Sequence, residues 1–333
     1  MSETRNKEIM LAPLAGVTDV AFRIICEKYG ADKTFTEMVS VNAMAFDNKQ
    51  TDEIMFISDK EKHANIQIFG RDLERIEKAV KEKINPLDNV SEISFNMGCP
   101  APKIFKNGEG SALMKDLDQV DKITKTLRKS TDKIINVKFR TGVDDNHKNY
   151  LEVGKICEAN GIDYVILHAR TRDQHYQGKA SWEDIRILKE NLSIPVIANG
   201  DVFKVEDFIN IMDETKADGV MLARGAMGNP FLFKYIKDYL KNGSYQKVRP
   251  AEIVDQIREQ YELSLLYKDE RLVVNQMRKH VGWYIKGLPN ATKIREKVNT
   301  LKTKEEIFSL LDEYKDVLEE ENDRARCKWN ATN

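Results

Sequence analysis

Short apolar runs alternate with helical patterns from residue 9 to about 240. The runs are Ile9–Leu14, Lys33–Thr36, Ile66–Phe69, Glu92–Asn96, Ile134–Phe139, Tyr164–His168, Pro195–Ala198 and Gly219–Ala223. Between them lie amphipathic segments such as Asp19–Tyr29, Asp72–Lys83, Asp118–Ser130, Tyr150–Ala159 and Val205–Glu214. Short runs bounded by turn residues read as strands buried on both faces, and the periodic segments read as covering helices. Eight such repeats predict an α/β protein with a (β/α)8 barrel. A doubly wound sheet is the alternative, but it would carry GxGxxG after the first strand. Here Pro13-Leu14-Ala15-Gly16 follows instead.

The pattern changes after Asn242-Gly243-Ser244. From Pro250 to about Glu321 only helical periodicity appears, in Ile253–Tyr267, Val273–Ile285, Ile294–Leu301 and Lys304–Leu318. The chain therefore divides into a barrel over 1–243 and a small all-helical domain over 250–321, joined by GSYQKVRP. Residues 322–333 are expected to form a flexible tail.

Charge changes this picture. The net charge of −1 argues against a nucleic-acid partner, but its distribution does not. Residues 271–304 hold nine Lys/Arg against one acid, Glu296, whereas residues 305–323 hold nine acids against Lys315. A basic patch lies beside an acidic helix. The four cysteines form no CxxC pair, so neither a structural metal nor a disulfide framework is expected, and a reducing cytoplasm fits. The polar start MSETRNKE is no secretory signal, and no run reaches the length of a membrane span. A monomer is expected.

In a barrel the active site lies at the carboxyl ends of the strands. Polar groups gather at six of the eight predicted ends: Gln67 at the third, Asn96 and Cys99 at the fourth, Lys138 and Arg140 at the fifth, His168, Arg170 and Arg172 at the sixth, Asn199-Gly200-Asp201 at the seventh, and Ala223-Arg224-Gly225 at the eighth. The last two loops combine small residues, which let backbone N–H groups approach an anion, with the fixed charge of Arg224. That pattern predicts a phosphate site. Gln67, Lys138 and His168 suit a flat heteroaromatic ring, and a cation near a flavin's N1–C2=O edge stabilises its reduced, anionic form. Cys99, in EISFNMGCPAPK (92–103), has three readings. It lacks partners at metal-ligand spacing, it could simply pack, or its strand-end loop could present it as a general acid or a nucleophile.

These stretches resemble the tRNA-dihydrouridine synthases, in particular the bacterial B-type branch. The similar segments are LAPLAGVTDVAFR (11–23), IQIFG (66–70), ISFNMGCPAPKIFKNGEGSALMKD (93–116), VKFRTG (137–142), ILHARTRDQHYQG (166–178), IPVIANGDV (194–202), DGVMLARGAMGNPFLF (218–233) and KHVGWYIKGLP (279–289), in the family's order. The resemblance implies a barrel with tightly bound FMN, a helical domain that binds tRNA, and NADPH as electron donor. It implies reduction of tRNA uridines to 5,6-dihydrouridine, with hydride to C6 and a proton from Cys99 to C5. By the same resemblance Asn96 positions substrate, Arg170 and Arg172 face the nucleotide, and Pro13, Leu14, Ala15, Gln67, Lys138, His168, Asn199, Gly200, Asp201, Ala223 and Arg224 contact FMN. Three departures stand out, one being Ala169, which is glycine in many relatives. Leu14 replaces a common methionine. Ala223 stands where glycine is frequent, which would weaken phosphate binding if that position needs positive φ. The rival readings are an FMN barrel acting on a free pyrimidine or an enone, and a flavin-free RNA-binding protein.

Overall fold

The computed structural model describes residues 7–46 and 49–332, with side chains to residue 321. Nine short strands form one parallel sheet: β1 (Glu8–Leu11), β2 (Thr34–Phe35), β3 (Val39–Ser40), β4 (Ala64–Phe69), β5 (Glu92–Met97), β6 (Ile134–Arg140), β7 (Tyr164–His168), β8 (Val196–Asn199) and β9 (Gly219–Leu222). Neighbours run β1-β9-β8-β7-β6-β5-β4-β2, and β3 also pairs with β4. A parallel bridge from Met10 to Lys33, with Leu11 N–H donating to the Lys33 carbonyl at 2.9 Å, brings β1 to β2. The result is a nearly closed (β/α)8 barrel.

Side chains pointing inward make its core. Met10, Ala12, Phe35, Tyr164, Ile166, Ile197 and Met221 pack as one buried cluster, with Leu14 and Ala223 resting on it. Bulky apolar residues facing inward from successive strands fill a barrel rather than leave a pore. At the amino end of the strands a polar group completes the interior. Lys33 pairs with Glu92 at 2.5 Å, and the Tyr164 hydroxyl donates to Glu92 at 2.6 Å.

The sequence pattern predicts one strand at Lys33–Thr36. The structure has two pieces, β2 and β3, separated by Thr36–Met38. Both still pair with β4, so the interruption leaves the barrel intact while turning Met38 towards its carboxyl end. Register sets the opposite row: Asn96 lies beside Lys138, Arg140 beside His168, and His168 beside Asn199. Polar residues near the carboxyl ends of β5 to β8 thus lie in two adjacent rows, Asn96 with Lys138 and Arg140 with His168 and Asn199, and form part of the rim.

Two compact units divide the chain. One holds the barrel through Gly225 and the helix Phe231–Asn242 from Leu232 on, and the other holds residues 226–231 and those from Ser244 onward. The second unit contains helices Pro250–Leu265, Glu270–Tyr284, Ala291–Thr300 and Lys304–Thr332. Its interior is apolar, with Ile257, Tyr261, Met277, Val281, Val298, Ile307 and Leu311 buried. Segment 226–231 lies tight against the second of these helices: a Cβ at Gly228 would come within 2.4 Å of the Trp283 backbone. The tail expected at 322–333 falls on the end of the helix Lys304–Thr332, beyond residue 321, the last whose side chain is described. No helix among the described residues is long and apolar enough to cross a membrane, and no cluster of His, Cys, Asp and Glu there could hold a metal ion.

Candidate active site

A cleft of about 900 Å3, open mouth included, lies at the carboxyl ends of the strands. Its wall includes Pro13, Leu14, Ala15, Asn96, Cys99, Lys138, His168, Arg170, Asn199, Gly200, Asp201, Ala223 and Arg224. Residues spread over more than two hundred positions thus meet because parallel strands all end on one face.

The cysteine loop is fixed by its neighbours. The Asn96 side-chain oxygen accepts from the backbone N–H groups of Gly98 and Cys99 at 3.0 and 2.9 Å. Asn96 Nδ2 donates to Gln67 Oε1 at 2.8 Å, and Gln67 Nε2 donates to Ser94 Oγ at 2.9 Å. Arg140 Nε donates to the Gly98 carbonyl at 2.9 Å, and the Ser111 hydroxyl donates to the Cys99 carbonyl at 2.8 Å. Gly110 closes this loop at φ +59°, where a Cβ would come within 2.9 Å of the Cys99 carbonyl oxygen. These contacts hold the thiol half-buried at the rim. Burial pushes its pKa above the ordinary value, against opposing pulls from the Ala101 backbone, Arg140 and Lys138. At neutral pH Cys99 is therefore a thiol and not a thiolate.

Lys138 faces the same cleft. No hydrogen bond or ion pair engages its amine among the described residues. Burial, then the charge of Arg140, lower its pKa to about 7. Burial and the surrounding cations hold His168 well below the usual histidine range, so its ring is neutral. An amine without a partner beside a neutral imidazole suits an electron-rich, partly anionic ligand.

On the far side Asp201 is the hub, held at φ +56°. It accepts from Arg170 Nη2 at 2.8 and 2.7 Å, from Arg224 Nη2 at 3.0 Å, and from the Ala180 N–H at 2.8 Å. Arg170 also donates to the Gln177 and Gly178 carbonyls, while its buried Nη1 has no partner. Gly225 allows the loop after β9 to cross closely, since a Cβ there would lie 2.0 Å from the Val202 carbonyl oxygen. Ala223 is not among the residues with positive φ, so its methyl costs this loop nothing and the concern raised by the alanine disappears.

Two predicted residues sit elsewhere. Gln67 is fully buried behind Asn96, its amide engaged in both directions, and does not line the cleft. Arg172 lies outside the wall, its guanidinium stacked 4.1 Å from the Phe105 ring centre and paired with Asp173 at 2.7 Å. The cleft also holds residues that the sequence reading passed over. Tyr176 and Phe203, 50% and 47% exposed, flank the Arg224 guanidinium at 5.2 and 5.4 Å. Tyr176 also lies 5.7 Å from the Arg140 guanidinium. An aromatic in the otherwise polar stretch TRDQHYQG was the available signal for Tyr176.

Fold and site together define an α/β-barrel enzyme with a protonated thiol and a row of cations at its catalytic face. Residues 10–322 match the Dihydrouridine synthase (Dus) family model. "Probable tRNA-dihydrouridine synthase" of Rickettsia conorii is 39% identical over 89% of this chain and 89% of its own length. "tRNA-dihydrouridine synthase B" of Shewanella oneidensis is 36% identical over 94% of this chain and 97% of its own. Among solved structures, histamine dehydrogenase from Rhizobium sp. 4-9 superposes with a TM-score of 0.51 at 13% identity, over 77% of this chain and 49% of that one, a likeness of fold. The chain belongs to the dihydrouridine synthase family.

Proposed function

We propose that the protein reduces specific uridines of tRNA to 5,6-dihydrouridine, with FMN as bound cofactor and NADPH as electron donor. The observation that carries this reading is the pairing of a protonated thiol, Cys99, with an unpartnered amine, Lys138, in one cleft. FMN suits that cleft. Leu14, Met221 and Ala223 offer an apolar floor to a flat ring, Lys138 offers the cation, and Arg224 with the backbone at 199–201 and 223–225 offers an anion cradle. When bound, the reduced cofactor supplies hydride to C6 of the uracil. Cys99 then gives its proton to C5, and a thiol with a raised pKa still holds that proton at neutral pH. Asn96 keeps the thiol's loop in place through the Gly98 and Cys99 amides.

The tRNA reading draws on the helical unit. None of the eight Lys and Arg residues of 271–302 has an ion-pair partner among the described residues. Arg278, Lys279 and Arg295 line one surface groove with Trp283 at its side. Cations left unpaired in such number suit a phosphate backbone. They have no role in the reading that gives the barrel a free pyrimidine.

The direct test incubates purified protein with FMN, NADPH and an unmodified tRNA transcript, followed by mass analysis of its nucleosides. The expected result is dihydrouridine at defined positions. A protein that takes up FMN but yields no dihydrouridine in any tRNA would refute the substrate assignment. A second expectation concerns Lys138. Its pKa near 7 lies well below the ordinary value of about 10.4. An anionic ligand favours the charged amine, so FMN binding raises that pKa. Between these values binding takes up a proton, and below pH 7 it does not. Titration calorimetry at about pH 8.5 in buffers of different ionisation heat should detect the uptake, and Lys138→Met should abolish it. Equal heats in all buffers for the unsubstituted protein would count against an anionic group at Lys138.

A further inference from the structure

We infer that a second RNA-contact surface lies on the barrel itself, on the segment that follows the cysteine loop. This inference rests on the tRNA reading above and adds the place where the barrel grips the phosphates next to the extruded nucleotide. The surface is built around Phe105, in the helix Pro102–Lys106. Arg172 lies 4.1 Å from the ring centre and the Lys115 ammonium 4.9 Å from it. Lys103 and Lys106 are exposed on the same helix. Arg71 lies against the backbone at Gly108, where a Cβ would meet its Nη1 at 2.5 Å.

Five cations thus surround one short segment, and only Arg71 and Arg172 are paired, with Asp116 and Asp173. Lys103, Lys106 and Lys115 have no ion-pair partner among the described residues, and the buried Arg172 Nε has no hydrogen-bond partner. Lys115 rests on the Phe105 ring, a contact that orients a cation without neutralising it, and Arg172 shares that ring while paired with Asp173. Because both cations already occupy the ring, Phe105 is not a platform for a base, and the surface fits phosphates. It begins three residues after Cys99, and a base drawn out of folded RNA brings its flanking phosphates to the rim of the cleft it enters.

The test replaces the three unpaired lysines together, Lys103→Ala, Lys106→Ala and Lys115→Ala, in the full chain. Binding of an unmodified tRNA transcript and the KM for uridine reduction are followed against salt. Each lost phosphate contact should make the slope of log affinity against log salt shallower by about 0.7–0.9, so a change near 2 and a weakening of about 10- to 100-fold are expected. Lys115→Glu, a single surface change, should weaken binding in the same direction and guards against misfolding of the triple variant. If the unsubstituted protein reduces tRNA while both variants keep its KM and salt slope, the surface is refuted. If the variants raise the KM for NADPH and not for tRNA, the cations serve the dinucleotide and the RNA assignment is overturned. If the unsubstituted protein neither binds nor reduces tRNA, the reading beneath this inference has failed and takes the inference with it.

Discussion

Cys99→Ala should lower uridine reduction by about 100- to 10,000-fold, the range that a positioned general acid supplies. The cleft keeps its cations and its apolar floor in this variant, so the flavin should still bind and still be reduced by NADPH. The two half-reactions would then separate in stopped-flow measurements, with fast bleaching and stalled reoxidation by tRNA. Cys99→Ser tests the same point with almost no change in volume. A hydroxyl is a far weaker acid than a thiol, so serine should rescue little. Burial raises the pKa of the thiol, so the loss of activity that Cys99 deprotonation causes should come at higher pH than for an exposed cysteine. Full reduction of tRNA by the alanine variant would remove Cys99 from the mechanism.

The second large effect is on stability. Arg23 and Glu61 form a buried pair, with side chains 2% and 0% exposed. Nε and Nη2 of Arg23 reach the two Glu61 oxygens at 2.6 and 3.1 Å, Nη1 donates to the Thr18 carbonyl at 2.8 Å, and Nη2 donates to the Phe56 carbonyl at 2.9 Å. Removing one partner leaves an uncompensated charge in the interior, which costs about 3–5 kcal/mol. Glu61→Ala should therefore lower the urea midpoint strongly with little change in slope. The double replacement Arg23→Met with Glu61→Leu should cost less than Glu61→Ala alone. A loss below about 1 kcal/mol in Glu61→Ala would show that the pair is dispensable. The effect should also reach the cleft. Thr18 Oγ1 accepts from the Leu14 N–H at 3.0 Å, so Arg23 fastens the same loop that presents Pro13, Leu14 and Ala15.

Much of this was legible in the residues because the barrel repeats one simple rule. A strand buried on both faces is mostly apolar, so polar residues towards its carboxyl end stand out as candidates for the catalytic face. Asn96, Lys138, His168 and Asn199 were found that way, and all of them line the cleft. The rule says nothing about which way a polar side chain turns once it is at the rim. Gln67 lies on such a strand, yet it points into a chain of amides behind Asn96. Arg172 stands only two residues beyond Arg170 in the loop after β7, yet it leans outward onto Phe105. The interruption that brings Met38 to the cleft carries no helix- or strand-breaking residue to announce it.

The sequence alone determined the alternation of strands and helices, the polar groups at six of the eight predicted strand ends, the basic stretch over 271–304 and the family, because these depend on periodicity and on local residue type. The tertiary structure alone decided which of the strand-end groups share a cleft, that burial raises the Cys99 pKa, that the Lys138 amine has no partner among the described residues and that Asp201 ties Arg170 to Arg224. Those properties depend on burial and on the separation of groups far apart in the chain, and neither is fixed until the parallel strands lie in register.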